Sequence, residues 1–143
     1  MKILVDTNIV VDALQKRENF AEDAGKILLS TPEHDSYIVA NSVTDIYYLQ
    51  HKYYHDKKTA RQSLEKVLVL FEVLDITGDD CKNALRSNIS DFEDAVLVES
   101  AKRSGMDCII TRNAKDFKNA GLPVYSPIEF LDQASSQSSE RVI

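Results

Sequence analysis

Apolar residues along this chain fall into two alternating kinds of run. Lys2–Val5 is a short, nearly continuous apolar block, as expected of a strand covered on both faces in a parallel sheet. It stops at Asp6-Thr7-Asn8, residues that favour turns and helix starts. A short helix should follow with Ile9, Val10, Ala13 and Leu14 on one face. A second is predicted over 19–30, where Phe20, Ala24, Ile27 and Leu28 recur at helical spacing. Ser36–Ala40 reads as the next strand, and Ser42 as the N-cap of a helix carrying Val43, Ile46, Tyr47 and Tyr54. The spacing of Ala60, Leu64, Val67, Leu68 and Phe71 predicts a helix over 57–71. Glu72–Ile76 is a third strand, and 79–88 a short helix.

Ser90 and Glu93 have the spacing of a capping box, which starts a helix at Asp91 that runs to about Ser104, with Gly105 as its stop. Asp107–Thr111 is a fourth strand, Pro123–Tyr125 a short fifth, and Ile128–Leu131 a final helical turn or two. Strands alternating with helices predict an α/β fold, with a central parallel sheet of four to five strands covered on both faces. The 143 residues suit one domain, which can bury about two-thirds of its unfolded surface without disulfides or structural metal. We place that domain at 1–132. The Ser-rich remainder, 133–143, reads as a flexible polar tail.

Composition narrows the function. Seventeen basic against 23 acidic residues give a net charge of -6, which argues against gripping DNA through a broad basic face. It leaves room for a nucleic-acid enzyme whose carboxylates are cancelled by bound cations. Cys81 and Cys108 form no CxxC and read as reduced, buried thiols of a cytoplasmic protein. No signal-peptide pattern opens the chain, and no apolar run nears the roughly 20 residues of a membrane span.

The informative feature is where the acids fall. In open α/β sheets, ligands bind beyond the carboxyl ends of the strands. Asp6 ends the first strand, Asp45 lies in the first turn after the second, and Asp116 follows the fourth. Asp94 joins them if its helix starts at the same edge, with Asp91 one turn earlier. Clustered carboxylates repel one another, and hard divalent ions such as Mg²⁺ or Mn²⁺ resolve that repulsion. His34, His51 and His55 are not at zinc-ligand spacings. Each acid also has a purely structural reading. Asp6 and Asp116 could serve turns, Asp45 and Asp91 could favour a helix dipole, and Asn8, Asn113 and Thr111 could be caps or a strand end.

The opening ILVDTNIVVDAL, the segment DFEDAVLVESAKRSGMDCIITRNAKDF and the closing PVYSPIEFL together resemble PIN-domain proteins, above all the VapC-like toxins of bacterial toxin–antitoxin pairs. The resemblance covers about residues 1–131. It implies a PIN-like three-layer α/β/α sandwich and a Mg²⁺- or Mn²⁺-dependent ribonuclease, commonly a homodimer and paired with an antitoxin. Carried over by position, Asp6, Asp94 and Asp116 would be metal ligands, and Asp45 the further catalytic acid. Most members carry Glu there, so Asp45 is shorter by one methylene. Asn8, Asp91, Thr111 and Asn113 would support the site. Arg112, Lys115 and Lys118 could touch the RNA backbone, or be solvated surface charges. The stretch Tyr47, Tyr48, Tyr53 and Tyr54 reads as core or dimer packing before base stacking.

Two other readings compete. The fold could survive as a catalytically impaired module that binds RNA or a protein, which Asp45 in place of Glu favours. A phosphoryl-transfer or receiver-type domain would also use an acidic pocket. The chain lacks a GxxxxGK loop, has Asn8 where a dehalogenase-like phosphatase wants Asp, and Thr111 where a receiver wants Lys.

Overall fold

The computed structural model describes the backbone of residues 1–142 and the side chains of residues 1–136. Five strands, β1 (Lys2–Val5), β2 (Asp35–Val39), β3 (Glu72–Leu74), β4 (Cys108–Ile110) and β5 (Val124–Tyr125), form one sheet in the order β3-β2-β1-β4-β5. Every pairing is parallel. The helices are α1 (Thr7–Leu14), α2 (Ala21–Ser30), α3 (Ala40–Tyr54), α4 (Lys57–Leu70), α5 (Gly78–Ala84), α6 (Phe92–Arg103) and α7 (Pro127–Val142).

Side chains alternate across the central strand and so divide the core in two. Ile3 and Val5 of β1 join Ile38, Cys108 and Ile110 under α1, α2, α3, α4 and α7. Leu4 joins Val39, Leu74 and Ile109 under α5 and α6. The result is the three-layer α/β/α sandwich. Cys108 is buried, as expected, whereas Cys81 is only half-buried. Among the described residues, no helix is long and apolar enough to cross a membrane.

Several element starts differ from their sequence reading. Helix α3 begins at Ala40 directly off β2, with Val39 as its cap residue. Ser42 is therefore inside the helix and buried, and its hydroxyl bonds the Thr7 hydroxyl at 2.6 Å instead of capping. Asp45 accordingly sits in the second turn, not the first. Helix α6 is capped by Asp91, whose side chain accepts from the Asp94 N–H at 3.0 Å. Ser90 and Glu93 make no capping box.

Reciprocal boxes form elsewhere. In one, Thr77 and Asp80 open α5. In the other, the Ser126 N–H donates to Glu129 at 3.0 Å and the Glu129 N–H to Ser126 at 3.2 Å. The second starts α7 with Pro127 at its first position. Neither Gly nor Pro interrupts the chain beyond Pro127, so α7 continues through the stretch expected to be a tail. Ile143 lies outside the described residues. At Gly105 the stop is as read: φ is +70°, and the Met106 N–H returns to the Ala101 carbonyl at 3.0 Å in a Schellman closure.

Buried Asp80 ties α5 to α6. It accepts from Ser100 at 3.0 Å, from Arg103 Nε at 2.9 and 3.0 Å, and from the Thr77 N–H at 3.0 Å. Burial alone would raise its pKa, but these donors outweigh it and hold the carboxyl below its usual range. Asp80→Ala would leave Arg103 and Ser100 without their acceptor. Urea denaturation should show a loss of about 3 kcal/mol, against under about 0.5 kcal/mol for Asp79→Ala on the exposed side of the same turn.

Candidate functional site

Strand β1 lies between β2 and β4, and the chain crosses to opposite sides of it. The carboxyl end of β1 is thus the switch point of the sheet, where a crevice must open. Asp6 is placed there by the strand and by its own role as N-cap of α1. Its carboxylate accepts from the Thr7 N–H at 2.8 Å and from the Thr111 hydroxyl at 2.8 Å. Thr111, fully buried at the end of β4, also accepts from Asn8 Nδ2 at 3.5 Å and the Asn113 N–H at 3.3 Å. Asn8 Oδ1 accepts the Arg112 N–H at 3.4 Å. One hydroxyl thereby joins the first acid to the loop after β4.

The crevice opens into a cleft of about 670 Å³ whose wall includes Asp6, Asp45, Asp91, Glu93, Asp94 and Asp116. Helix α6 starts at this edge and brings Asp91 and Asp94. A 3₁₀ turn over Ala114–Phe117, anchored by buried Phe117, brings Asp116. Asn8 and Asn113 also line the cleft. Arg112, Lys115 and Lys118 do not line it. Arg112 is held by Asp12 at 2.9 and 3.1 Å and lies 4.3 Å from the Phe20 ring centroid, while both lysines are exposed. Tyr47 is half-buried, but Tyr48, Tyr53 and Tyr54 are exposed, which removes the core half of their reading as core or dimer packing.

Glu93 is the member that sequence reasoning assigned to a helix cap. Its carboxyl pKa is raised to about 7, first because it shares a hydrogen bond with Asp45, then by burial and by repulsion from Asp45, Asp6 and Asp91. Asp94 is raised to about 6 by burial, then by Asp6, Asp91 and Asp116. Asp6 is also raised, chiefly by burial, against the pull of Thr111 and the Thr7 N–H. The only sequence signal for Glu93 was its place two residues from Asp91 and one from Asp94.

Among the described residues, no three His, Cys, Asp or Glu side chains form a ready-made metal cage. The cleft is instead an open mouth lined by carboxylate donors, in which burial and mutual repulsion make acids retain protons. That donor set fits a hard divalent ion, which binds through few carboxylates and completes its shell with water and substrate phosphate. No His or Cys among the described residues, the donors on which zinc sites chiefly draw, lines the cleft.

Comparison with known proteins agrees with this architecture. The PIN-domain family model matches residues 2–115. A toxin–antitoxin complex from Klebsiella pneumoniae contains a chain 25% identical, with a TM-score of 0.65, covering 87% of this chain and 97% of that one. VapBC2 from Rickettsia felis, bound to a DNA fragment from their promoter, matches at 20% identity and a TM-score of 0.67, over 87% and 97%. VapC20 from Mycobacterium tuberculosis, a Sarcin-Ricin loop cleaving toxin, matches at 16% and 0.61, over 75% and 86%. The last two share the fold. A search of curated proteins found no match.

The raised carboxyls have a measurable consequence in metal-free protein. Glu93 ordinarily releases its proton near 4.5 but holds it here to about 7. Between those values the folded chain binds more protons than the unfolded one, so stability is gained as pH falls through the window and lost as it rises. Melting in EDTA should therefore give a higher Tm at about pH 5.5 than at about pH 8. Glu93→Gln should narrow the gap by raising the value at the alkaline end. A gap unchanged in the variant would contradict the assignment.

Proposed function

This chain belongs to the PIN-domain family, and from that premise we propose that it is a metal-dependent endoribonuclease, the toxin of a toxin–antitoxin pair. The observation that carries the reading is the gathering of Asp6, Asp45, Glu93, Asp94 and Asp116 around one cleft at the sheet's switch point. Asp6, Asp94 and Asp116 would hold Mg²⁺ or Mn²⁺. When bound, the ion supplies charge neutralisation and Lewis acidity for phosphodiester hydrolysis.

The chain's own residues do the rest. Thr111 fixes the Asp6 carboxylate in one orientation through its hydroxyl, and Asn8 and Asn113 hold Thr111 in turn. Asp91 fixes the start of α6, and so the place of Asp94. Glu93, held up to about 7 where it faces Asp45 across the cleft, is an acid that can hold or give up a proton near neutral pH. The gathering of these acids around one cleft supports a hydrolase over an impaired binding module, since a module that only binds has no need of so many clustered carboxylates.

The partners follow from the same reading. RNA is the proposed substrate. An antitoxin is supported by the complexes that share this fold, and a homodimer in the cytoplasm completes the proposal.

Purified protein should cleave a mixture of RNAs that includes tRNA when Mn²⁺ or Mg²⁺ is present, and EDTA should stop it. Asp94→Asn should lower the rate by about 100-fold or more. Cleavage that survives EDTA or this variant would contradict the proposal.

A further inference from the structure

Among the described residues that line the acidic cleft, Arg17 is the single cation. Its position is set by how α1 ends. Gln15 caps the helix, and Lys16 takes a left-handed φ of 50°. The Lys16 N–H returns to the Ala13 carbonyl at 3.3 Å and the Arg17 N–H to the Asp12 carbonyl at 3.0 Å. This is a Schellman closure, in which glycine usually occupies the left-handed position. Lysine takes that position here, and the closure carries Arg17 back over Asp12. The two positions usually meet through an apolar contact. Here they meet through an ion pair, Arg17 Nη1 to Asp12 Oδ1 at 3.2 Å.

Asp12 does not need Arg17. It is 1% exposed, and Arg112 already binds both of its oxygens from 100 residues away. Two guanidiniums on one carboxylate leave a net positive charge. Arg17 touches Asp12 with one nitrogen, and its other donors have no partner among the described residues. The side chain is 37% exposed. It is thus a held guanidinium with free donors beside the acid cluster.

Tyr48 lines the same cleft one turn beyond Asp45 on α3, and is 65% exposed. Gln15, two residues before Arg17, donates to the Leu49 carbonyl at 3.3 Å and to Gln50 at 3.0 Å. The loop that carries Arg17 and the turn that carries Tyr48 are thereby tied together.

We infer that Arg17 receives a backbone phosphate next to the one being cut and that Tyr48 takes an unpaired base on its ring. A planar guanidinium fork matches phosphate oxygens. An exposed aromatic ring stacks on any base whose face is free, which a duplex does not offer. This inference rests on the ribonuclease reading.

The test measures RNA binding in Asp94→Asn protein with Mg²⁺, where cutting is suppressed, and cleavage by the unaltered chain in parallel. The probes are a fluorescent single-stranded RNA of mixed sequence and the same strand annealed to its complement. Arg17→Gln, which keeps a hydrogen bond to Asp12 while removing the charge, should weaken single-strand binding about tenfold. It should also reduce the slope of log affinity against log salt by roughly 0.7. Arg17→Lys should restore the slope.

Tyr48→Ala should weaken single-strand binding, Tyr48→Phe should not, and the duplex should bind more weakly than the single strand. Tyr48 is on an exposed helix face, so its pair of variants decides the point should Arg17→Gln fold poorly. If the unaltered chain cleaves RNA but these variants bind like their parent, or the duplex binds equally well, the inference is overturned and the ribonuclease reading stands. If the unaltered chain neither cleaves nor binds RNA, that reading falls and the inference with it.

Discussion

Strand β1 has a neighbour on each edge and helices on each face, so the chain leaving its last residue must enter the crevice between the diverging halves of the sheet. That constraint places Asp6. It also explains why the groups around Asp6 come from remote parts of the chain. The end of β4 supplies Thr111 because β4 pairs with β1 in register, Val5 against Ile110. The start of α3 supplies Ser42, which grips Thr7. Helix α6 returns antiparallel to the sheet and must therefore begin at the same edge, which brings Asp91, Glu93 and Asp94 into the cleft.

This convergence works against the local electrostatics. Carboxylates that are partly buried and face like charges resist ionisation, and Glu93 and Asp94 hold protons toward neutral pH. The structure tolerates the conflict because its scaffold is overdetermined. The cap of α6 and the Thr111 bridge tie two of the cluster's own acids to the backbone and to β4, and the Asp80–Arg103 pair holds α6 from behind, outside the cluster.

Much of this was legible in the sequence, and the misses have physical causes. Apolar blocks found every strand, because buried parallel strands need no alternation. The position of Asp6 followed from that of β1. Local chemistry misled where tertiary contacts override it. Ser42 looked like a cap because serine usually is one, yet its hydroxyl is claimed by Thr7, 35 residues away. Ser90 and Glu93 had the spacing of a box, but Asp91 lies between them and caps more directly. Glu93 is then free to line the cleft with Asp45 of α3, a meeting of two helices that no local pattern encodes. Asp12 was invisible for a similar reason: an acid on the buried face of α1 makes sense only once Arg112 arrives from beyond β4. The length of α7 was missed because serine-rich composition was weighed above the absence of a helix breaker.

The central claim is that the acid cluster holds protons which a divalent ion displaces. Calorimetric titration of metal-free protein with Mn²⁺, run at about pH 6.5 in two buffers of different ionisation enthalpy, measures this directly. The account predicts binding with net release of protons, smaller at about pH 8 where Glu93 and Asp94 are already ionised. Absence of binding, or binding with no proton exchange at either pH, would contradict it.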